Sequence, residues 1–136
     1  MKDNSGYLDA NVVIRLLTND IPDHKDMALN LIETSRTLKI NDIAIIETIY
    51  ALAEYYKVPR SKIAKAISNL STHKKIEFNS DMFELVLHLY SKQPGLSIED
   101  CYLAVQANID KKMPLWTFDK KLAKQSGGLA KEVPAI

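Results

Sequence analysis

The chain holds a single cysteine, Cys101, so no internal disulfide can form, and the usage fits a reducing cytoplasm. Cys101 lies in an apolar helical stretch, which makes it a small buried packing residue rather than a nucleophile. No apolar run approaches the roughly 20 residues that span a membrane. The opening segment, residues 1–6, lacks the apolar core of a secretion signal, and cytoplasmic location is therefore the expectation. The histidines, His24, His73 and His88, are scattered over predicted helix surfaces, and no two are spaced to act as an acid–base pair. There is also no internal repeat, no long linker and no charge of one sign: 18 Lys and Arg face 17 Asp and Glu. At 136 residues a single domain, 1–136, is expected, long enough to bury about two-thirds of its unfolded surface.

What the chain does have is four carboxylates at element ends or inside apolar helices: Asp9, Glu47, Asp100 and Asp119. Ionised side chains are seldom buried unless paired or bound to a metal. If these four converge, they form an all-oxygen site suited to a hard divalent cation, Mg²⁺ or Mn²⁺. Each acid also has a plainer reading. Asp9 and Asp119 could be N-caps of the helices that follow them, and Asp100 could be a first-turn acid behind a Ser97 cap. Glu47 resists this, because its helical neighbours Ile43, Ala44, Tyr50 and Ala51 do not describe a solvated face. Gathering four acids in one pit would leave cations in excess over the rest of the surface. Clusters such as Lys57/Arg60/Lys62/Lys65, Lys111-Lys112 and Lys120-Lys121/Lys124 could then meet phosphates. Taken singly, each cluster is as well explained as a solvated helix face.

A coarse pass gives strands alternating with helices. Tyr7–Asp9 reads as a short buried strand and 11–18 as a helix. Pro22 opens a helix to about Ser35, and 38–40 is a strand. Asn41 or Asp42 caps the helix that carries Glu47, which ends at Val58-Pro59. A helix over 61–70, a strand at 76–78 and, preceded by Ser80, a helix to about Tyr90 follow. The Asp100 helix spans 97–111, 115–117 is a buried strand, a short helix starts at Lys120, and a final strand lies near Val133. Strands separated by helices imply parallel pairing, and in such sheets ligands bind beyond the carboxyl ends of the strands. Asp9 and Asp119 sit at two such ends.

Four short motifs in register now carry a resemblance. They are Leu8-Asp9-Ala10-Asn11 before an apolar helix ending Thr18-Asn19-Asp20; Glu47 after Ile40-Asn41-Asp42; Ser97-Ile98-Glu99-Asp100-Cys101-Tyr102-Leu103-Ala104; and Thr117-Phe118-Asp119. Over nearly its whole length the chain resembles the PIN-domain ribonucleases and, among them, the VapC-type toxins of toxin–antitoxin pairs. The resemblance implies an α/β fold, a PIN-like three-layer α/β/α sandwich with a short parallel central sheet. It implies Mg²⁺- or Mn²⁺-dependent endonucleolytic cleavage of RNA to 5′-phosphate and 3′-hydroxyl ends, a homodimer, and a small antitoxin protein as partner. Position by position, Asp9, Glu47, Asp100 and Asp119 resemble the family's catalytic and metal-binding acids, and Asn11 and Thr117 the polar residues that orient them. Glu54 is set aside as a surface acid paired with Lys57, Glu99 and Asp110 as surface acids, and Asp20 and Asp42 as turn or cap residues.

Other functions share parts of this pattern. A phosphatase of the Asp-x-Asp kind would need an acid where Asn11 stands. A catalytically silent RNA- or protein-binding module on the same fold would be expected to have lost one or more of the acids. A purely structural protein would use all four as caps.

Overall fold

The computed structural model describes residues 3–136, which form a mixed α/β fold of seven helices and five short parallel strands. The chain divides into two compact units, residues 1–80 and 81–136.

The first unit begins with β1 (Gly6–Tyr7), α1 (Ala10–Leu17) and α2 (Pro22–Thr34). It continues through β2 (Leu38–Lys39), α3 (Asp42–Glu54), α4 (Arg60–Leu70) and β3 (Ile76–Glu77). The strands form one parallel sheet in the order β1-β2-β3, with Gly6 opposite Leu38 and Leu38 opposite Ile76. The ladder runs one step past the strands, since Leu8 N–H donates to the Lys39 carbonyl and Ile40 N–H to that of Glu77. Buried Leu8, Val13, Ile32, Leu38, Ile40, Ile45, Ile49, Ile63, Ile67 and Ile76 make the core. Along α3 and α4 they recur at helical spacing, Ile45 with Ile49 and Ile63 with Ile67. On α1 the buried residues are Ala10, Val13 and Ile14, and of the apolar run Val12, Val13, Leu16 and Leu17 only Val13 is buried.

Each helix start has a local cause. Asp9 caps α1 and Asn41 caps α3, each accepting from the N–H three residues on. Asn41 is therefore the cap, and Asp42 is the first residue of the helix. Pro22 stands at the head of α2, where its missing N–H is harmless. Pro59 precedes α4 with φ −60° and ψ 147° and starts it at Arg60, one residue earlier than its sequence suggests.

The second unit holds α5 (Ser80–Lys92) from Asp81 onward, α6 (Ile98–Ile109) and β4 (Leu115–Thr117), then α7 (Lys120–Gln125) and β5 (Ala130–Glu132). β4 and β5 pair in parallel, Leu115 with Ala130, Trp116 with Lys131 and Thr117 with Glu132. Phe83, Val86, Leu87, Tyr90, Leu96, Ile98, Cys101, Ala104 and Leu122 are buried here, and Cys101 is the packing residue expected. α6 ends in a Schellman turn: Lys112 N–H reaches the Ala107 carbonyl and Lys111 N–H that of Asn108, with Lys111 at φ 58°.

Two strands differ from their sequence reading. Both residues of β1 are exposed, and burial begins only at Leu8. β4 is not buried either: Leu115 and Thr117 are half-covered and Trp116 is exposed. In both cases a short apolar run reads as an interior strand, but Tyr7 and Trp116 face solvent, which residue type alone does not reveal.

Candidate active site

Asp9 stands two residues past β1, where the extended chain turns into α1. Its Oδ1 accepts from Val12 N–H at 3.1 Å, and the side chain is exposed. Asn11 lies exposed in the first turn of the same helix. Glu47 lies in the second turn of α3, which begins immediately beyond the carboxyl end of β2. In this unit α1 packs on α3.

Glu47 is exposed, not enclosed by its neighbours. Ala44 is buried, but Ile43 is 67% exposed and Tyr50 48%. Apolar residues three or four positions away therefore marked a solvent-facing stripe, which residue type alone could not distinguish from an interior one. The Glu54–Lys57 pair does not follow either. α3 ends at Glu54, and Lys57 takes the left-handed conformation (φ 54°) that redirects the chain, so helical spacing no longer relates the two.

In the second unit Ser97 caps α6, its Oγ accepting from Asp100 N–H at 3.1 Å. Asp100 is half-buried in the first turn, where the helix dipole favours its charge. Asp119 stands two residues past β4 and caps α7, with Oδ1 accepting from Lys121 N–H at 2.9 Å and Leu122 N–H at 3.1 Å. Thr117 Oγ1 accepts from Asp119 N–H at 2.9 Å, so Thr117 shapes the turn that presents Asp119. Two acids of the quartet thus belong to each unit. Among the described residues, no group of three or more His, Cys, Asp or Glu side chains is gathered to hold a metal ion.

A polar cluster in the first unit carries more structure than its sequence suggested. Tyr56 hydroxyl donates to Asp20 Oδ2 at 2.6 Å, and Thr18 hydroxyl to Asp20 Oδ1 at 2.9 Å. Arg15 Nη1 lies 3.2 Å from both Asp20 oxygens and 3.0 Å from Tyr56 Oη. The Tyr56 hydrogen bond is the main reason the Asp20 carboxyl titrates below its ordinary value; desolvation opposes it, and Thr18 and the Arg15 charge reinforce it. Asp20 therefore ties the end of α1 to the segment after α3. Sequence offered only the polar run Thr18-Asn19-Asp20, with no hint of Tyr56. Ser5 similarly holds the Asp3 carboxyl low through its side-chain and backbone donors. His24, His73 and His88 are all exposed, and His73 lies in the turn after α4 rather than on a helix.

Among the described residues, no helix is long and apolar enough to cross a membrane. No curated protein matches the chain. The family model described as PIN domain matches residues 6–128, a span that contains Asp9, Asn11, Glu47, Asp100, Thr117 and Asp119. On that match, and with a mixed α/β fold of short parallel strands, the chain belongs to the PIN domain family.

Proposed function

We propose that the protein is a metal-dependent endoribonuclease in which Asp9, Glu47, Asp100 and Asp119 together supply the ligands of Mg²⁺ or Mn²⁺, and that residues 1–136 act as one catalytic domain. The observation that carries this is the reach of the family match, which spans all four acids in a family whose fold is of the nuclease type. The chemistry of the donor set suits the ion. All four groups offer carboxylate oxygen, the ligand that hard divalent cations prefer, and none is histidine or thiolate. When bound, such a cation would lower the pKa of a water and offset charge developing on the scissile phosphate.

The remaining tasks fall to the chain's own side chains. Asp9 and Asp119 are held in one orientation by their capping bonds, which limits the entropy lost on ligation. Thr117 fixes the backbone of Asp119, and Asn11, in the first turn of α1, would orient Asp9 or the phosphate. In biological terms we read the protein as the cytoplasmic toxin of a toxin–antitoxin pair, working as a homodimer and restrained by a small antitoxin. That reading rests on the VapC-like Leu8-Asp9-Ala10-Asn11 and Thr117-Phe118-Asp119 motifs.

The test is cleavage of single-stranded RNA by the purified protein in Mn²⁺, in Mg²⁺ and in chelator. Wild type should cut only with metal, leaving 5′-phosphate ends, and Asp100→Asn should not cut. Metal-independent cutting, or an active Asp100→Asn protein freed of contaminating ribonuclease, would refute the assignment. RNA binding without cleavage by wild type would favour the silent binding module.

A further inference from the structure

α1 is only eight residues long, too short to be stable alone in water, yet it carries Asp9 at its head and Asn11 in its first turn. Its direction is set by what holds its two ends. At the head this is the sheet. β1 and β2 run parallel with Tyr7 opposite Lys39, and Leu8 N–H donates to the Lys39 carbonyl. Two residues past that pair, Asp9 caps α1 and Asn41 caps α3. The two acid-bearing helices therefore leave neighbouring strands at the same end of the sheet.

The tail of α1 is held by the polar cluster around Asp20. Beyond α3 the chain doubles back: Tyr56 N–H reaches the Ala51 carbonyl and Val58 N–H that of Leu52, with Lys57 between them at φ 54°. The turn brings the Tyr56 hydroxyl, 41 positions along the chain from Arg15, to 3.0 Å from Arg15 Nη1. Tyr56 donates to Asp20 Oδ2 at 2.6 Å, and Arg15 Nη1 lies 3.2 Å from both Asp20 oxygens. An exposed Arg–Asp pair alone would be a surface contact of little consequence. Here Arg15 and Tyr56 are half-buried, and each of the three residues bonds the other two. Such a closed triangle restrains geometry more than a lone pair does.

We propose that Arg15, Asp20 and Tyr56 are positioning residues: by locking the tail of α1 to the turn after α3, they set the direction in which Asp9 is presented to Glu47. The inference rests on the nuclease reading for the task of the two acids. The Asp9 carboxylate is bonded to Val12 N–H and so follows the axis of α1, which packs on α3. Over the roughly 12 Å of a helix this long, a swing of about 5° moves one end against the other by about 1 Å. A misplacement of about 1 Å at a reacting group costs about a hundredfold in rate.

Tyr56→Phe removes the hydroxyl that closes the triangle and keeps the ring. Ile67→Val trims a buried side chain of α4, outside the triangle and both acid-bearing helices, and controls for lost stability alone. All proteins are compared at a temperature where circular dichroism shows each fully folded. Tyr56→Phe should raise the Mn²⁺ dissociation constant, read by calorimetry without RNA, about tenfold, and lower kcat about tenfold at unchanged KM for RNA. Adding Arg15→Lys to Tyr56→Phe should cost little more, since the triangle is already open. In chelator, hydrogen exchange at Val12 N–H should be faster in Tyr56→Phe than in Ile67→Val.

Wild-type Mn²⁺ affinity and kcat in Tyr56→Phe would overturn the proposal. Equal losses in Ile67→Val would do the same, because general softening would then account for them. The nuclease reading fails separately: a wild type that neither binds Mn²⁺ nor cleaves RNA rejects the enzyme. Exchange at Val12 then still decides whether the triangle holds α1, and a rate no faster in Tyr56→Phe than in Ile67→Val rejects it.

Discussion

Replacing Asp9 or Asp119 first by Asn and then by Ala separates the two tasks assigned to these residues. Asn caps a helix about as well as Asp, so Asp9→Asn keeps an acceptor for Val12 N–H while removing the charge. Ala removes both. Loss of a cap typically costs about 1 kcal/mol, with a range of roughly 0.5–2. Asp9 serves one N–H group and Asp119 two, in a helix of only six residues, so Asp119→Ala should fall toward the upper end. In a domain of this size about 1 kcal/mol moves the melting temperature by roughly 4 °C. The Asn variants lose only the attraction between carboxylate and helix dipole, about 0.3–1 kcal/mol. Urea denaturation in chelator should therefore rank wild type, Asn and Ala in that order at both positions, with the larger step at Asp119→Ala. Cleavage assays in Mn²⁺ should rank them differently, with Asn and Ala both inactive. If Asp9→Asn cleaves RNA at the wild-type rate, Asp9 is a cap and nothing more. If Asp119→Ala is as stable as Asp119→Asn, the cap geometry does not contribute as argued.

Three further outcomes can be checked on the same material. Saturating Mn²⁺ should stabilise the wild type by about 2.7 kcal/mol at a hundredfold excess over its dissociation constant, and Asp100→Asn should lose most of that response in the same melts. The Asp20 cluster gives an acid-dependent term whose sign follows from its lowered carboxyl: stability is fully present above the unfolded value, near 3.8, and is lost as pH falls through the lower folded value. Tyr56→Phe removes the main cause of the shift, so acid unfolding curves of the variant should be shallower across that window, and identical curves would exclude the cluster as a determinant. Ile49→Ala opens a cavity in the first unit's core and should cost about 2–5 kcal/mol, read as a lower urea midpoint at unchanged slope.

The order of elements was legible because its signals are local. Pro22, Asn41, Ser97 and Asp119 each act on N–H groups within three residues or on the helix start itself, and each stands where those signals place it. Exposure was not legible. It depends on which other elements cover a face, and Ile43, Tyr50 and Trp116 are residue types that serve equally in a core and on a rim. The Tyr56–Asp20 bond joins residues 36 apart in sequence, a relation no spacing rule describes. The places of the four acids on their elements were legible by position and residue type, but burial does not single them out, since Asp9, Glu47 and Asp119 are all exposed.

Exposure changes what those acids can be. A buried, unpaired carboxylate would need a cation to fold, whereas an exposed cap folds without one and still has binding capacity to spare. A carboxylate offers about four lone-pair sites, and the caps engage only Oδ1 of Asp9 and of Asp119. Capping and ligation are therefore not competing explanations of the same residue. The N–H groups of α1 and α7 fix the side-chain rotamer before any ion arrives, and a fixed ligand loses less entropy on binding than a free one. The strand-to-helix junction makes an acid a structural asset at Asp9 and at Asp119, so the ligand role proposed for them costs the apo chain neither cap.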